Sequence, residues 1–160
     1  MDSKKFRKTF GILAEEYGLR KAFSGWFRQS KECIVVLVLQ KSSYGNYYQL
    51  NIMSFIQGLF KKQYQVDKSL FKSSMGDVNG SEPQEYRNVL DLDVPMNDDE
   101  RVIHLARLFK DHVSPFVDKV LTKSGISKLA DQEAIFLPPS IKEELGIVSS
   151  LAPLARKFLP

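Results

Sequence analysis

Histidine and cysteine, the side chains that most often bind metal ions or act as nucleophiles, are scarce in this sequence, which contains two histidines and one cysteine. His104 and His112 lie in a segment of helical periodicity, which separates them by about 80° around the helix and about 12 Å along it. They cannot share a metal ion within one straight helix, and no third ligand can be named. Cys33 lies in an apolar run, where a buried thiol is expected. These residues therefore predict neither a metal site nor a cofactor, and they nominate no catalytic residue.

Five carboxylates lie close together in the sequence, and carboxylate oxygens are ligands that Mg²⁺ prefers. They are Asp91, Asp93, Asp98, Asp99 and Glu100. The simpler interpretation, which we favour, places Asp91 and Asp93 on the solvent side of a strand and the other three at the positive end of a helix. Sequence motifs for a phosphate-binding loop, a nucleophile elbow or a paired-histidine zinc helix are absent from the chain. The sequence thus favours a non-catalytic protein, with an enzyme whose site is assembled from distant residues as an alternative.

Polar and aromatic side chains between residues 40 and 51 form the strongest candidate for a binding site. They are Gln40, Lys41, Ser42, Ser43, Tyr44, Tyr47 and Asn51. Exposed tyrosines beside a lysine can stack on nucleic acid bases, and tyrosine is also enriched at protein interfaces. A third interpretation is that the tyrosines pack across the strands that carry them.

A β-hairpin must position these residues. Residues 33–40 are almost continuously apolar, which is typical of a central strand covered on both faces. Residues 47–55 predict the partner strand, and residues 42–46 have the composition of a turn. If Gly45 and Asn46 form a two-residue turn, Tyr44 pairs with Tyr47 and Gln40 lies across from Asn51. A four-residue loop pairs Gln40 with Gln49 instead.

Helices and shorter strands surround this hairpin in the sequence. An N-terminal helix is predicted from a cap at Asp2 or Ser3 to a left-handed glycine at Gly18. Its apolar stripe is Phe6, Phe10, Leu13 and Tyr17. A second helix begins with a capping box at Asn97 and is predicted to stop at Pro115, where another begins. Residues 26–28 and 85–94 predict strands, and residues 76–83 predict a loop.

The 160 residues are expected to form one domain, with a core at about 4–125 and a docked C-terminal extension at 130–160. The fold class is α+β: a mainly antiparallel sheet of about four strands, built on a central hairpin, with helices packed on one face. The second face of the apolar strand needs cover, which the tail or another subunit could supply. No apolar run approaches the roughly 20 residues that cross a bilayer, and no signal peptide is recognised. With its lone cysteine, the chain is expected to be cytoplasmic.

The hairpin resembles the core of a bacterial family filed as domain of unknown function 4304. The resemblance rests on residues 39–46 and 48–52, and it extends to residues 17–19, 26–28, 90–93 and 114–116 and to Arg101. It covers most of residues 4–125. The resemblance implies a bacterial, stand-alone domain, and because the family has no assigned activity it assigns no role to any residue.

Net charge separates the remaining hypotheses about function. Residues 1–75 hold 13 Lys/Arg and 5 Asp/Glu, whereas residues 76–160 hold 10 Lys/Arg and 14 Asp/Glu. A basic half can bind nucleic acid if its charges share one face. The favoured hypothesis is a protein-binding domain of adaptor or inhibitor type, with nucleic acid as the alternative partner. No membrane partner is expected, and a homo-oligomer is compatible with the sequence.

Overall fold

The strands of the chain form one antiparallel sheet in the order in which they occur in the sequence. The computed structural model describes residues 1–147. Within them lie five strands in the order β1-β2-β3-β4-β5. They are β1 (Arg20–Ala22), β2 (Gly25–Gln29), β3 (Cys33–Lys41), β4 (Tyr48–Ile56) and β5 (Val78–Ser81). The α+β class and the hairpin-centred antiparallel sheet are confirmed, with five strands where about four were expected.

The helices account for most of the remaining chain. They are α1 (Ser3–Glu16), α2 (Lys68–Lys72), α3 (Arg87–Leu90), α4 (Asp98–Leu108), α5 (Ser114–Val120), α6 (Lys123–Asp131) and α7 (Pro139–Glu144). Single 3-10 turns occupy Leu59–Lys61 and Gln84–Tyr86. No helix in residues 1–147 has the length and apolar content needed to cross a membrane.

The N-terminal helix forms as predicted. The carboxylate of Asp2 accepts a hydrogen bond from the amide of Lys5 at 2.7 Å, which caps the helix. Gly18 follows the helix with a φ of 85°, a conformation that costs glycine little. Phe6 stacks on Tyr48 with 5.0 Å between ring centroids. The apolar stripe thereby fastens α1 to the sheet.

The two faces of β3 are buried by different parts of the chain. Cys33, Val35 and Leu37 belong to the main core, which α1, α4 and α5 cover. Ile34 and Val36 point to the second face and pack in a smaller cluster with Leu70 and Phe71 from α2. The second face is therefore covered by residues near 64–72, and the expectation that the tail or another subunit covers it is wrong. Helices pack on both faces of the sheet, so the expectation of helices on one face is also wrong.

The hairpin has the register of a four-residue loop. Gln40 pairs with Gln49 and Lys41 with Tyr48, and the amide of Ser42 donates to the carbonyl of Tyr47 at 2.9 Å. The two-residue alternative is wrong. Gln40 nevertheless meets Asn51 diagonally, since Asn51 Nδ2 donates to Gln40 Oε1 at 3.1 Å.

Two segments adopt structures that the sequence patterns did not predict. Residues 76–83, predicted as a loop, contain β5, whose Val78 is buried in the core. Residues 85–94, predicted as a strand, instead form a 3-10 turn and α3, and only a single bridge from Asp91 to Tyr47 retains strand pairing in that segment. The alternation of apolar and polar residues there reflects a short buried helix followed by a loop.

Pro115 does not stop the helix that begins at Asn97. Helix α4 continues through a π-helical turn at Phe109–Val113 directly into α5. A proline lacks the amide that would bond the carbonyl four residues earlier, and its ring crowds that carbonyl. The wider π turn occupies the residues just before Pro115, where this crowding falls.

Part of the C-terminal extension is docked. Leu137 and Ile141 are buried in the main core, and the amide of Phe60 donates to Glu144 Oε1 at 3.2 Å. The apolar residues Leu151, Leu154 and Phe158 lie outside the described residues.

Candidate functional site

The second face of the sheet is apolar at one end of the central hairpin and polar at the other. Its positions on β3 run from Ile34 and Val36 to Gln40, and those on β4 run back from Met53 to Gln49. Helix α2 covers the apolar part, whereas Gln40 and Gln49 are exposed to solvent. Because side chains alternate between faces along a strand, the amides form a row at the hairpin end of this face.

A shallow depression of about 430 Å³ lies beside the hairpin loop. It is lined by Gln40, Lys41, Ser42, Ser43, Tyr44, Tyr47 and Gln49. Ser42 Oγ accepts a hydrogen bond from the amide of Tyr44 at 3.0 Å and thereby shapes the loop. The Tyr44 residue is 94% exposed, so its ring stands free at the rim.

A second depression of about 500 Å³ adjoins the first, because Tyr47 and Gln49 line both. Its lining is Tyr47, Tyr48, Gln49, Leu50, Asn51, Ser81, Glu82, Arg87, Asn88 and Asp91. It forms where β5 ends at Ser81, which is the residue paired with Asn51. At Leu50, the residue before Asn51 on β4, the backbone amide donates to the Glu82 carboxylate at 2.9 Å instead of to a carbonyl of β5. We call the two depressions together the hairpin groove.

The far wall of the hairpin groove is held by a buried arginine. Arg101 on α4 is 1% exposed. Its Nη1 donates to the carbonyls of Asn88, Val89 and Asp91 at 3.2, 2.7 and 3.0 Å. Its Nη2 donates to the carbonyl of Val94 at 2.9 Å. Five donors on a planar fork allow one side chain to bond several carbonyls, so Arg101 fixes α3 and the residues after it, which bring Asn88 and Asp91 to the groove.

The hairpin loop is tied down on its other side. Lys41 Nζ donates to Ser3 Oγ at 3.3 Å, and that hydroxyl donates to Asn46 Oδ1 at 3.0 Å. The Asn46 amide donates to Asp93 Oδ2 at 3.0 Å, and the Asn46 carbonyl accepts from the amide of Leu92 at 2.9 Å. The loop is therefore clamped between the start of α1 and residues 92–93.

The structure brings the predicted binding residues together and divides them into two groups. Lys41 and Ser42 make the internal hydrogen bonds that shape and anchor the loop. The others present side chains to the groove: Gln40, Ser43, Tyr44, Tyr47 and Asn51. Sequence reasoning missed Gln49, Glu82, Arg87 and Arg101. A signal for Arg101 existed, since a charged residue at the buried position one turn before Leu105 implies internal hydrogen bonds.

Asp98, Asp99 and Glu100 lie in the first turn of α4, as the favoured interpretation held, but its strand position for Asp91 and Asp93 is wrong, because both residues follow the short helix α3. Asp98 contacts Lys5 Nζ at 2.7 Å and the amino group of Met1 at 3.0 Å. The hydrogen bond from Lys5 holds the pKa of the Asp98 carboxyl below its ordinary value. Among residues 1–147, no group of His, Cys, Asp and Glu side chains has a geometry that could hold a metal ion.

The two histidines are separate, as their spacing requires. His104 Nε2 lies 3.6 Å from a carboxylate oxygen of Glu100, and His112 Nε2 lies 3.7 Å from one of Glu85. Cys33 is fully buried, and desolvation raises the pKa of its thiol to about 11. A thiol held in its neutral form is a poor nucleophile.

Basic residues of the first half do not share one face. Lys4 and Lys8 lie on α1, which packs against the first face of the sheet, whereas Lys68 and Lys72 lie on α2, which covers the second. The lysines of these two helices therefore do not contribute to one common surface.

Compared with family models, with curated proteins and with solved structures, the chain gives no match. The resemblance of residues 39–52 to the family of unknown function therefore stays a proposal.

Proposed function

We propose that this protein is a non-catalytic binding domain, of adaptor or inhibitor type, that holds a protein partner in the hairpin groove. The observation that carries the proposal is the exposed row of amide and tyrosine side chains on the uncovered end of the second sheet face. Gln40, Gln49 and Asn51 each offer donors and acceptors, which is what a peptide backbone requires. Tyr44 and Tyr47 add aromatic area beside them, the kind of side chain that anchors protein interfaces.

The rigidity of the groove supports the same proposal. Arg101 fixes one wall through four carbonyls, and Asn46 fixes the hairpin loop between α1 and residues 92–93. A surface whose walls are already ordered loses less conformational entropy when a partner binds. Both clamps lie outside the groove. Within it, Asn51 Nδ2 donates to Gln40 Oε1, and the exposed Gln49 side chain faces solvent.

We further propose that the protein is bacterial and acts in the cytoplasm as a member of the family of unknown function. The support is the hairpin motif at residues 39–52 and the buried, unpaired thiol of Cys33, which suits a reducing compartment.

The test is capture of a partner from a bacterial lysate by the full chain and by two double variants. Tyr44→Ala with Gln49→Ala removes two exposed groove side chains. Ile12→Ala with Ile103→Ala, which removes two half-exposed side chains on α1 and α4, is the matched control. We expect a discrete protein that the wild type and the control retain and the groove variant loses.

Nuclease treatment of the lysate distinguishes the nucleic acid alternative. A partner that disappears with nuclease, or binding that weakens steeply with added salt, would assign the protein to nucleic acid instead. Retention of the same protein by the groove variant would refute the proposed site.

A further inference from the structure

An apolar cleft lies next to the hairpin groove, on the other side of β5. Its volume is about 460 Å³. Its apolar lining is Ile52, Val113, Phe116, Ala134, Ile135 and Phe136, and its rim includes residues 79–83 and His112. Phe136 is 82% exposed, although an aromatic ring of that size is usually buried. The cleft therefore has the volume of a ligand pocket, and it has room for an apolar side chain of a partner together with its neighbours.

The cleft exists because a glycine lets an aromatic ring approach the edge strand. A Cβ atom at Gly80 would lie 2.6 Å from Phe116 Cε1, so any larger residue would push the ring away. Strand β5 is the last strand of the sheet in residues 1–147. Edge strands present backbone donors and acceptors that can pair with an added extended segment. The edge strand β5 thus offers backbone hydrogen-bonding groups directly beside the apolar cleft.

The cleft and the hairpin groove adjoin each other. Ser81 and Glu82 line both. Near their junction the carboxylates of Glu82 and Asp91 oppose the guanidinium of Arg87, and Glu85 adds a carboxylate beside His112 of the cleft. Lys41 lines only the depression beside the hairpin loop. This excess of negative charge favours a ligand that carries positive charge near its apolar group.

We propose that the cleft binds an apolar anchor residue of an extended peptide whose neighbouring residues are Lys or Arg, and that the remainder of the peptide follows the hairpin groove. The proposal rests on the proposed function and names the chemistry of its partner. Phe116 and Phe136 contact the anchor, and Glu82 and Glu85 attract the flanking cations. The amide row then pairs with the peptide backbone.

The test uses a phage-displayed library of random heptapeptides selected on the full chain. Enriched peptides are synthesised with a fluorescent label, and their dissociation constants are measured by anisotropy at two salt concentrations. We expect a Leu, Ile, Met or Phe at one position with Lys or Arg within two residues of it. Phe136→Ser should weaken binding by at least about tenfold, because it removes one wall of the anchor pocket. Ile103→Ser, at a half-exposed site on α4 outside the cleft, should leave binding unchanged.

Charge variants test the electrostatic part. Glu85→Gln should weaken binding about threefold at low salt and reduce the salt dependence, since it removes one attracting carboxylate. Enrichment of acidic peptides, or binding that Phe136→Ser leaves unchanged, would overturn the inference. Self-association of the full chain that Phe136→Ser abolishes would assign the cleft to a second copy and would also overturn it.

The outcomes separate this inference from the proposed function. Peptides that lose affinity with Gln49→Ala but not with Phe136→Ser would sink the inference and support the groove. A library that yields no peptide would also refute the inference. Capture from lysate by the wild type and by the Tyr44→Ala, Gln49→Ala double variant tests the proposed function independently. Phe136→Ser should keep the wild-type unfolding midpoint, because its side chain is largely exposed.

Discussion

Replacing Arg101 with methionine should be among the most destabilising conservative changes in this chain. The methionine keeps much of the aliphatic volume but removes the donors that now reach four carbonyl oxygens at 2.7 to 3.2 Å. The side chain is 1% exposed, so water does not replace those donors in place. The carbonyls of residues 88–94 must then either stay unpaired or move toward solvent.

The magnitude follows from the number and kind of bonds. Hydrogen bonds to a charged group contribute about 1.5–3 kcal/mol each, but they share one buried cation whose desolvation opposes them. Asn88 is exposed, so part of the loop can turn to water. We therefore expect a loss of about 3 kcal/mol in the free energy of unfolding, which is the cost of leaving one or two buried carbonyls without a donor. That is a large fraction of the roughly 5–15 kcal/mol that holds a typical domain.

Urea unfolding of the wild type, Arg101→Met and Arg101→Lys measures this loss. Lysine keeps the charge but not the planar fork, so its midpoint should fall between the other two. Arg107→Met, at an exposed position on the same helix, is the matched control and should change stability by less than about 0.5 kcal/mol. Hydrogen exchange should show faster exchange at residues 88–94 in Arg101→Met. A variant within about 0.5 kcal/mol of wild type, with unchanged exchange there, would refute the reasoning.

Three further predictions concern single contacts. Burial raises the pKa of Asp77, so between the ordinary and the raised pKa the native state binds more protons and stability falls as pH rises. In Asp77→Asn the side-chain oxygen can still accept from the amide of Ile56, but the group no longer titrates, so stability should fall less as pH rises. Thermal unfolding midpoints measured over a range of pH test this, and a pH dependence equal to that of the wild type would contradict the prediction. Gly80→Ala should cost about 1–3 kcal/mol in urea unfolding by displacing the Phe116 ring, and a neutral effect would mean that the ring moves freely. Tyr44→Ala should leave the unfolding midpoint unchanged, since the residue is 94% exposed; a clear loss of stability would show that the ring supports the fold.

The elements that the sequence predicted well are those whose signals are local. The apolar stripe and Asp2 cap of α1 lie within one helix, and so does the Asn97 cap of α4, where Asn97 Oδ1 accepts from the amide of Glu100 at 2.7 Å. The hairpin was recognisable because residues 33–40 are apolar on both faces. The sequence did not decide between two registers for the hairpin, because the length of its loop depends on the hydrogen bonds of Asn46 with Ser3 and Asp93.

The elements that it missed depend on distant contacts. Strand β5 has an ordinary loop composition and becomes a strand because β4 offers an edge and Gly80 fits under Phe116. Residues 85–94 alternate like a strand but fold around Arg101, which lies in a different element. The π turn before Pro115 likewise appears only when α4 and α5 pack as one continuous helix.

The candidate site shows the same division. Gln40, Tyr44 and Asn51 were predicted because they lie within one short segment that forms one hairpin. Glu82 and Arg87 join them only where β5 ends and α3 begins, so nothing in the local sequence of either residue indicates the groove.

The central claim is that the hairpin groove holds a protein partner, and site-specific crosslinking tests it most directly. A photoreactive benzoylphenylalanine in place of Tyr44 would stand at the rim of the groove, and the same residue in place of Ile103 would stand on the outer side of α4. Irradiation of living bacteria that express each variant should give one discrete protein adduct from position 44 and none from position 103. The same adducts from both positions, or adducts to nucleic acid alone from position 44, would contradict the account.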